Sequence, residues 1–177
     1  MTGLDPPRPM PPGPILIGLG GNLASPRWGA PRDTLTAALA ALGAEDVKIM
    51  ARSGWYRSEP VPASDQPWYV NAVATLATGL DADGLLALMQ RIETRFGRVR
   101  SVPDAPRVID LDLLDYRGER IETPDLVLPH PRLHRRRFVL EPLAEIAPAW
   151  RHPVLGKTAR QLLAELAADE RVERLPC

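Results

Sequence analysis

The chain has 177 residues, enough for one domain of ordinary size and too few for two well-filled cores. Hydrophobic residues make up 45% and charged residues 25%, which excludes wholesale disorder and a fibrous protein. Lys+Arg 22 against Asp+Glu 22 leaves a formal net charge of +0, without the basic surplus that sequence-independent nucleic-acid binding needs.

Residues 1–14 are proline-rich with almost nothing to bury, so a mobile tail is expected there and the fold is expected to occupy 15–177. Ile15 to Leu19 reads as a buried strand running into a tight turn at Gly20-Gly21-Asn22. Leu35, Ala38, Leu39 and Leu42 recur at helical spacing, with Asp33 as the expected N-cap and Gly43 as the stop. Val47 to Arg57 and Tyr69 to Thr78 predict two strands, joined by the Pro/Ser/Asp-rich stretch 60–67. Leu85, Leu88, Met89, Ile92 and Phe96 predict an amphipathic helix closed by Gly97. Val108 to Tyr116 alternates apolar and acidic residues as a half-exposed strand does, and Leu162, Leu163 and Leu166 outline a last helix. The order β-α-β-β-α-β with a helical tail region is the split βαβ arrangement, an α+β ferredoxin-like fold with helices over a largely antiparallel sheet.

The only cysteine is Cys177, which excludes an internal disulfide and a multi-cysteine metal site. No run of 18 apolar residues occurs and the N-terminus has no signal-peptide pattern, so a cytoplasmic protein without membrane contact is expected.

Chemistry concentrates on Asp110 and Asp112. Alternation puts them on one strand face, about 6.5–7 Å apart, opposite Ile109, Leu111 and Leu113. That spacing suits a shared hard cation such as Mg²⁺, although a bare D-x-D is equally common on a solvated strand. Arg98, Arg100 and Arg107 bracket the loop leading to the pair, the composition that phosphoryl transfer uses. Taken alone, such arginines also serve as surface ion pairs. The basic run His130 to Phe138 suits a nucleotide triphosphate better than a long polyanion. His130 and His134 could ligate zinc only as a pair on a helix, without a Glu between them or a thiolate nearby, which argues against a zinc site. Gly18-Leu19-Gly20-Gly21-Asn22-Leu23 matches neither nucleotide-binding glycine fingerprint and reads as a turn. Tyr69 and Asn71 face the same way and could hold a flat heterocycle, while by themselves they are also an ordinary strand pair.

Read together and in order, the Gly18–Leu23 turn, Tyr56–Val61, Asp65–Val73, Arg91–Glu93, Gly97–Arg100, Pro106–Leu113, Leu128–Arg132 and Arg136–Leu140 resemble the 6-hydroxymethyl-7,8-dihydropterin pyrophosphokinase family of folate biosynthesis. The resemblance runs from Ile15 to about Leu166. It implies a Mg²⁺-dependent enzyme, using two ions, that moves the diphosphate of ATP to the hydroxymethyl group of a reduced pterin and leaves AMP. By this resemblance Asp110 and Asp112 hold the metals, and Arg98 and Arg107 stabilise the transferring group. Gln90, Glu93, Arg100, Leu113, His130 and Arg136 line the ATP side, and Ser58, Val61, Tyr69, Asn71 and Phe138 the pterin side. A monomer acting on small-molecule substrates is expected, with no nucleic-acid or membrane partner.

Three departures from the family pattern stand out. The loop Val102 to Arg107 is one residue shorter and lacks a tryptophan, Gly21 replaces the commoner Ser, and Pro62 stands where Gly is usual. Two rivals remain at this point. An RNA-binding module would need several exposed aromatics and a basic surplus, and a metal-dependent phosphohydrolase would release phosphate from ATP without pterin.

Overall fold

A computed structural model describes residues 12–99 and 102–177. Strand β1 (Ile15–Gly21) lies at the centre, with β4 (Tyr69–Thr78) and β5 (Asp110–Tyr116) antiparallel on either side. The far edge of β4 carries β2 (Val47–Arg52) and β3 (Tyr56–Ser58), and β3 in turn pairs with β8 (Val172–Arg174). The order β5-β1-β4-β2, with α1 (Pro31–Gly43) and α2 (Ala82–Arg95) as crossovers, is the expected split βαβ core. A small hairpin of β6 (Ile121–Glu122) and β7 (Val127–Leu128) lies apart, followed by α3 (Arg137–Ile146) and α4 (Ala159–Glu165).

The helix ends follow from local chemistry. Pro31 opens α1, where its missing N–H is no loss, and the N-cap is Ala30, not Asp33, which lies in the first turn near the positive end of the helix dipole. Asp81 caps α2 by accepting the Gly84 N–H at 2.8 Å. Gly97 leaves that helix at φ +90°, a conformation that a side chain disfavours. Thr158 and Gln161 form a reciprocal capping box on α4.

Alternation along the strands creates two unlike faces. Ile15, Ile17 and Leu19 of β1, with Ala72, Ala74 and Leu76 of β4, pack against Leu35 and Leu42 of α1 and Leu85, Leu88 and Met89 of α2. The other face offers Leu16, Val73 and Leu114, covered by Leu140 and Leu143 of α3, Trp150 and Leu162. That second cover stops short of the glycine end of β1.

Three expectations are corrected. The strand foreseen over Val47 to Arg57 is broken at Ser53, whose N–H donates to the Val73 carbonyl while its Oγ accepts the Val73 N–H, so side chain replaces ladder there. The acidic strand starts at Asp110, and its alternation fails at Leu114 because the pairing with β1 slips between Leu16 and Ile17. The tail boundary moves too: the Gly13 N–H donates to Arg117 and the Pro14 carbonyl accepts from it, while residues 1–11 lie outside the described residues.

Candidate active site

Strand register builds the floor of the cleft. Asp110 stands opposite Gly20, which stands opposite Asn71; Asp112 stands opposite Gly18. Directly opposed residues share a face, so two side chains are missing between the carboxylates and the Asn71 amide. A cavity of about 240 Å³ opens there, walled by Ser58 to Pro62 on one side and by Arg132, Arg136 and Phe138 on another.

Three guanidiniums meet the two carboxylates. Asp110 accepts from Arg98 at 2.8 Å and from Arg107 at 2.9 Å, one through each oxygen, and Asp112 lies 3.4 Å from Arg136. Arg98 is aimed by the buried Glu93 at the end of α2, which pairs with it and also accepts the Leu111 N–H at 2.6 Å. Burial pushes the Glu93 carboxyl up to about 7, against the Leu111 N–H and Arg98, which favour the anion. Burial first, then neighbouring Asp112, raises the Asp110 carboxyl, with Arg98 and Arg107 opposing. Such a group gains from a further positive charge.

One buried side chain gathers the surrounding loops. Asn22 Oδ1 accepts the Arg107 N–H at 2.9 Å, while its Nδ2 donates to the Pro67 carbonyl at 3.0 Å and to Gln66 at 3.2 Å. Gln66 donates onward to the Asp104 carbonyl at 2.9 Å. The turn after β1, the loop before β4 and the loop before β5 are therefore one hydrogen-bonded rim. Gly21 makes the contact possible, since a Cβ there would stand 2.6 Å from the Val108 carbonyl oxygen.

A family model for 7,8-dihydro-6-hydroxymethylpterin-pyrophosphokinase matches residues 16–148, most of the chain. The chain belongs to this family. Curated relatives carrying the name 2-amino-4-hydroxy-6-hydroxymethyldihydropteridine pyrophosphokinase include one from Methylorubrum extorquens, 41% identical over 160 residues, covering 89% of this chain and 97% of the relative. One from Pseudomonas aeruginosa is 40% identical over 163 residues, covering 92% and 96%. One from Synechocystis is 40% identical, covering 85% and 75%. The fold is similar to that of a Plasmodium falciparum HPPK-DHPS triple mutant, with TM-score 0.63 and 14% identity over 86% of this chain and 41% of that longer one.

Of the residues that the pyrophosphokinase resemblance singles out, the cleft brings together Asp110, Asp112, Arg98, Arg107, Arg136, Ser58, Val61, Tyr69, Asn71 and Phe138. Asn71 donates to the Ser58 hydroxyl at 2.8 Å, and the Tyr69 hydroxyl reaches the Ala105 carbonyl at 3.4 Å. Glu93 reaches the cleft through Arg98. Gln90 is exposed on α2, and the Leu113 side chain is buried on the opposite sheet face. His130 lines a separate groove beside the β6–β7 hairpin, where burial, then Arg136, lowers it to about 4. It does not share a helix with His134, which lies in a short 3₁₀ turn, Leu133–Arg135. Arg100 lies outside the described residues.

Sequence reasoning missed Asn22 and Arg132. An Asn after a glycine turn reads as ordinary turn chemistry, and only burial across three loops reveals a further task. Arg132 was hidden in the basic run His130 to Arg137, where six of eight residues are His or Arg.

Proposed function

We propose that this chain performs its family's reaction, diphosphate transfer from ATP to 6-hydroxymethyl-7,8-dihydropterin, in the glycine-floored cleft and with two Mg²⁺ ions. The observation that carries the reading is the convergence of Arg98, Arg107 and Arg136 on two carboxylates standing over Gly18 and Gly20. Asp110 and Asp112 are hard oxygen donors. Among the described residues no group of three or more His, Cys, Asp or Glu side chains could hold a metal by itself. Two carboxylates completed by substrate phosphates and water are what Mg²⁺ accepts, so the donor set fits. When bound, Mg²⁺ neutralises charge on the phosphate oxygens.

The hydroxymethyl oxygen attacks the β-phosphorus, the bond to the α,β-bridging oxygen breaks, and AMP leaves as the hydroxyl proton departs. Positioning and charge stabilisation carry such a transfer. Arg98 and Arg107 are placed to take the charge that builds up on the phosphoryl oxygens, and Arg136 lies on the ATP side with Arg132. Tyr69, Phe138 and Val61 offer apolar surface for a pterin, and Asn71 an amide for its polar edge. The same reading takes residues 15–177 as one catalytic unit, a cytoplasmic monomer. Among the described residues no helix is long and apolar enough to cross a membrane.

The test is AMP formation by purified protein given ATP, Mg²⁺ and the pterin, with controls lacking the pterin or containing EDTA. Pterin-dependent AMP that EDTA abolishes is expected. Phosphate or diphosphate released from ATP without pterin would replace this reading by hydrolysis.

A further inference from the structure

The C-terminal strand reaches the wall on which the proposed pterin side depends. Strand β8 extends the sheet by pairing with β3, so that Ser58 faces Val172 and Arg57 faces Glu173. Just beyond this register, the Arg171 carbonyl accepts the Glu59 N–H at 3.3 Å, and the Arg171 guanidinium lies 3.3 Å from the Glu59 carboxylate. The same guanidinium lies 5.5 Å from the Trp68 ring centroid, and Arg57 lies 5.1 Å from it. Arg57 is held in turn by Glu173.

Glu59 and Trp68 are the two ends of the loop that carries Pro60, Val61 and Pro62 into the cleft. One arginine thus touches both ends of a loop whose middle is exposed, Val61 being 54% accessible. A second cavity of about 250 Å³ lies behind this wall, between Val61 and Phe138 on one side and Arg171 and Val172 on the other. The wall therefore has a gap at its back, and apart from the Gln66 and Pro67 bonds to the rim its position rests on its ends.

We infer that Arg171 is a positioning residue for the pterin substrate, clamping the Glu59–Trp68 loop from outside so that the cleft wall is set before the pterin arrives. The inference rests on the pterin-side assignment above. A loop ordered in advance lowers the entropy lost on binding. The clamp makes no contact with the phosphate-handling residues, so its removal acts on pterin affinity rather than on the chemical step.

The experiment is steady-state kinetics on Arg171→Ala, Arg171→Lys, Trp68→Ala and the double variant, with Asn71→Ala as the reference for the pterin side and thermal melting throughout. Arg171→Ala is expected to raise the pterin KM about threefold to tenfold, with ATP KM and kcat within about twofold of the parent. Arg171→Lys, which retains the charge on Glu59 but stacks less well on Trp68, is expected to fall between. Trp68→Ala should also raise the pterin KM, and the double variant should fall short of the product of the two single effects, because the Arg171–Trp68 contact is lost in both. An unchanged pterin KM, or a parallel rise in ATP KM, would overturn the clamp. So would a lysine variant that melts like the parent and yet recovers none of the lost affinity. If Asn71→Ala raises the pterin KM and Arg171→Ala does not, the clamp alone fails. If neither does, the pterin-side assignment fails and takes the clamp with it.

Discussion

The two faces of the central sheet are built from the same strands and put to opposite uses. Towards α1 and α2 every position from Ile15 to Leu19 that can carry an apolar side chain does so, and Leu35, Leu42, Leu85 and Met89 close over them completely. Towards α3 the cover ends at Leu16, Val73 and Leu114, and the remaining floor is glycine, carboxylate and amide. Stability is concentrated on the closed face, where buried apolar area is continuous. The open face gives up that burial for a place where charged groups converge.

The sharpest way to break the comparison is Asp112→Ala. It should lower kcat by on the order of 10³-fold, and the urea midpoint should hardly move, since a carboxylate 33% exposed and 3.4 Å from Arg136 adds little stability. Leu85→Ala on the closed face should do the reverse. It is expected to cost about 2–5 kcal/mol of unfolding free energy and to leave both KM values close to the parent, as urea unfolding and kinetics would show. Gly21→Ser tests the boundary between the regimes. Its Cβ, 2.6 Å from the Val108 carbonyl oxygen, must displace the backbone that presents Arg107, so stability should fall by about 1–3 kcal/mol and activity with it.

The smallest effect is one of pH. With His130 lowered to about 4, the unfolded chain binds the extra proton between that value and 6.5. The stability that this histidine contributes is present above 6.5 and is lost as pH falls towards 4. Glu93, raised to about 7, works the other way, its contribution being present below 4.5 and lost as pH rises through 7. Denaturation at pH 7.5 and at pH 5 should therefore show a larger acid loss for the parent than for His130→Asn. An equal loss in both would show that His130 titrates as it does in the unfolded chain.

How far each face could be read from the sequence follows the same division. The closed face was visible as periodicity: Ile15 to Leu19 and Leu85 to Phe96 behave as their spacing predicts, and the alternation around Asp110 holds as far as Leu113, because one uniform environment rewards one pattern. The carboxylate pair, its arginines and the Tyr69–Asn71 pair were visible as residue types. What the sequence hid depends on long-range partners. Ser53 looks like a strand residue until its hydroxyl takes a ladder bond from Val73. Strand β8 carries Glu173 and Arg174, which no alternation marks as a strand, and it exists because β3 offers it an edge. Asn22 gave no hint of spanning three loops, since Gln66 and Arg107 are 44 and 85 residues away.

The bare backbone at Gly18 carries a consequence for any attempt to toughen this protein. A Cβ there would meet nothing closer than the Leu114 side chain at 3.5 Å, an ordinary contact, and alanine in a strand interior gains roughly 0.5–1 kcal/mol over glycine. A selection for heat resistance alone would therefore favour alanine, and the added methyl would stand in the cleft opposite Asp112, in the space proposed for the substrates. At this position robustness and turnover compete for the volume of a single carbon atom.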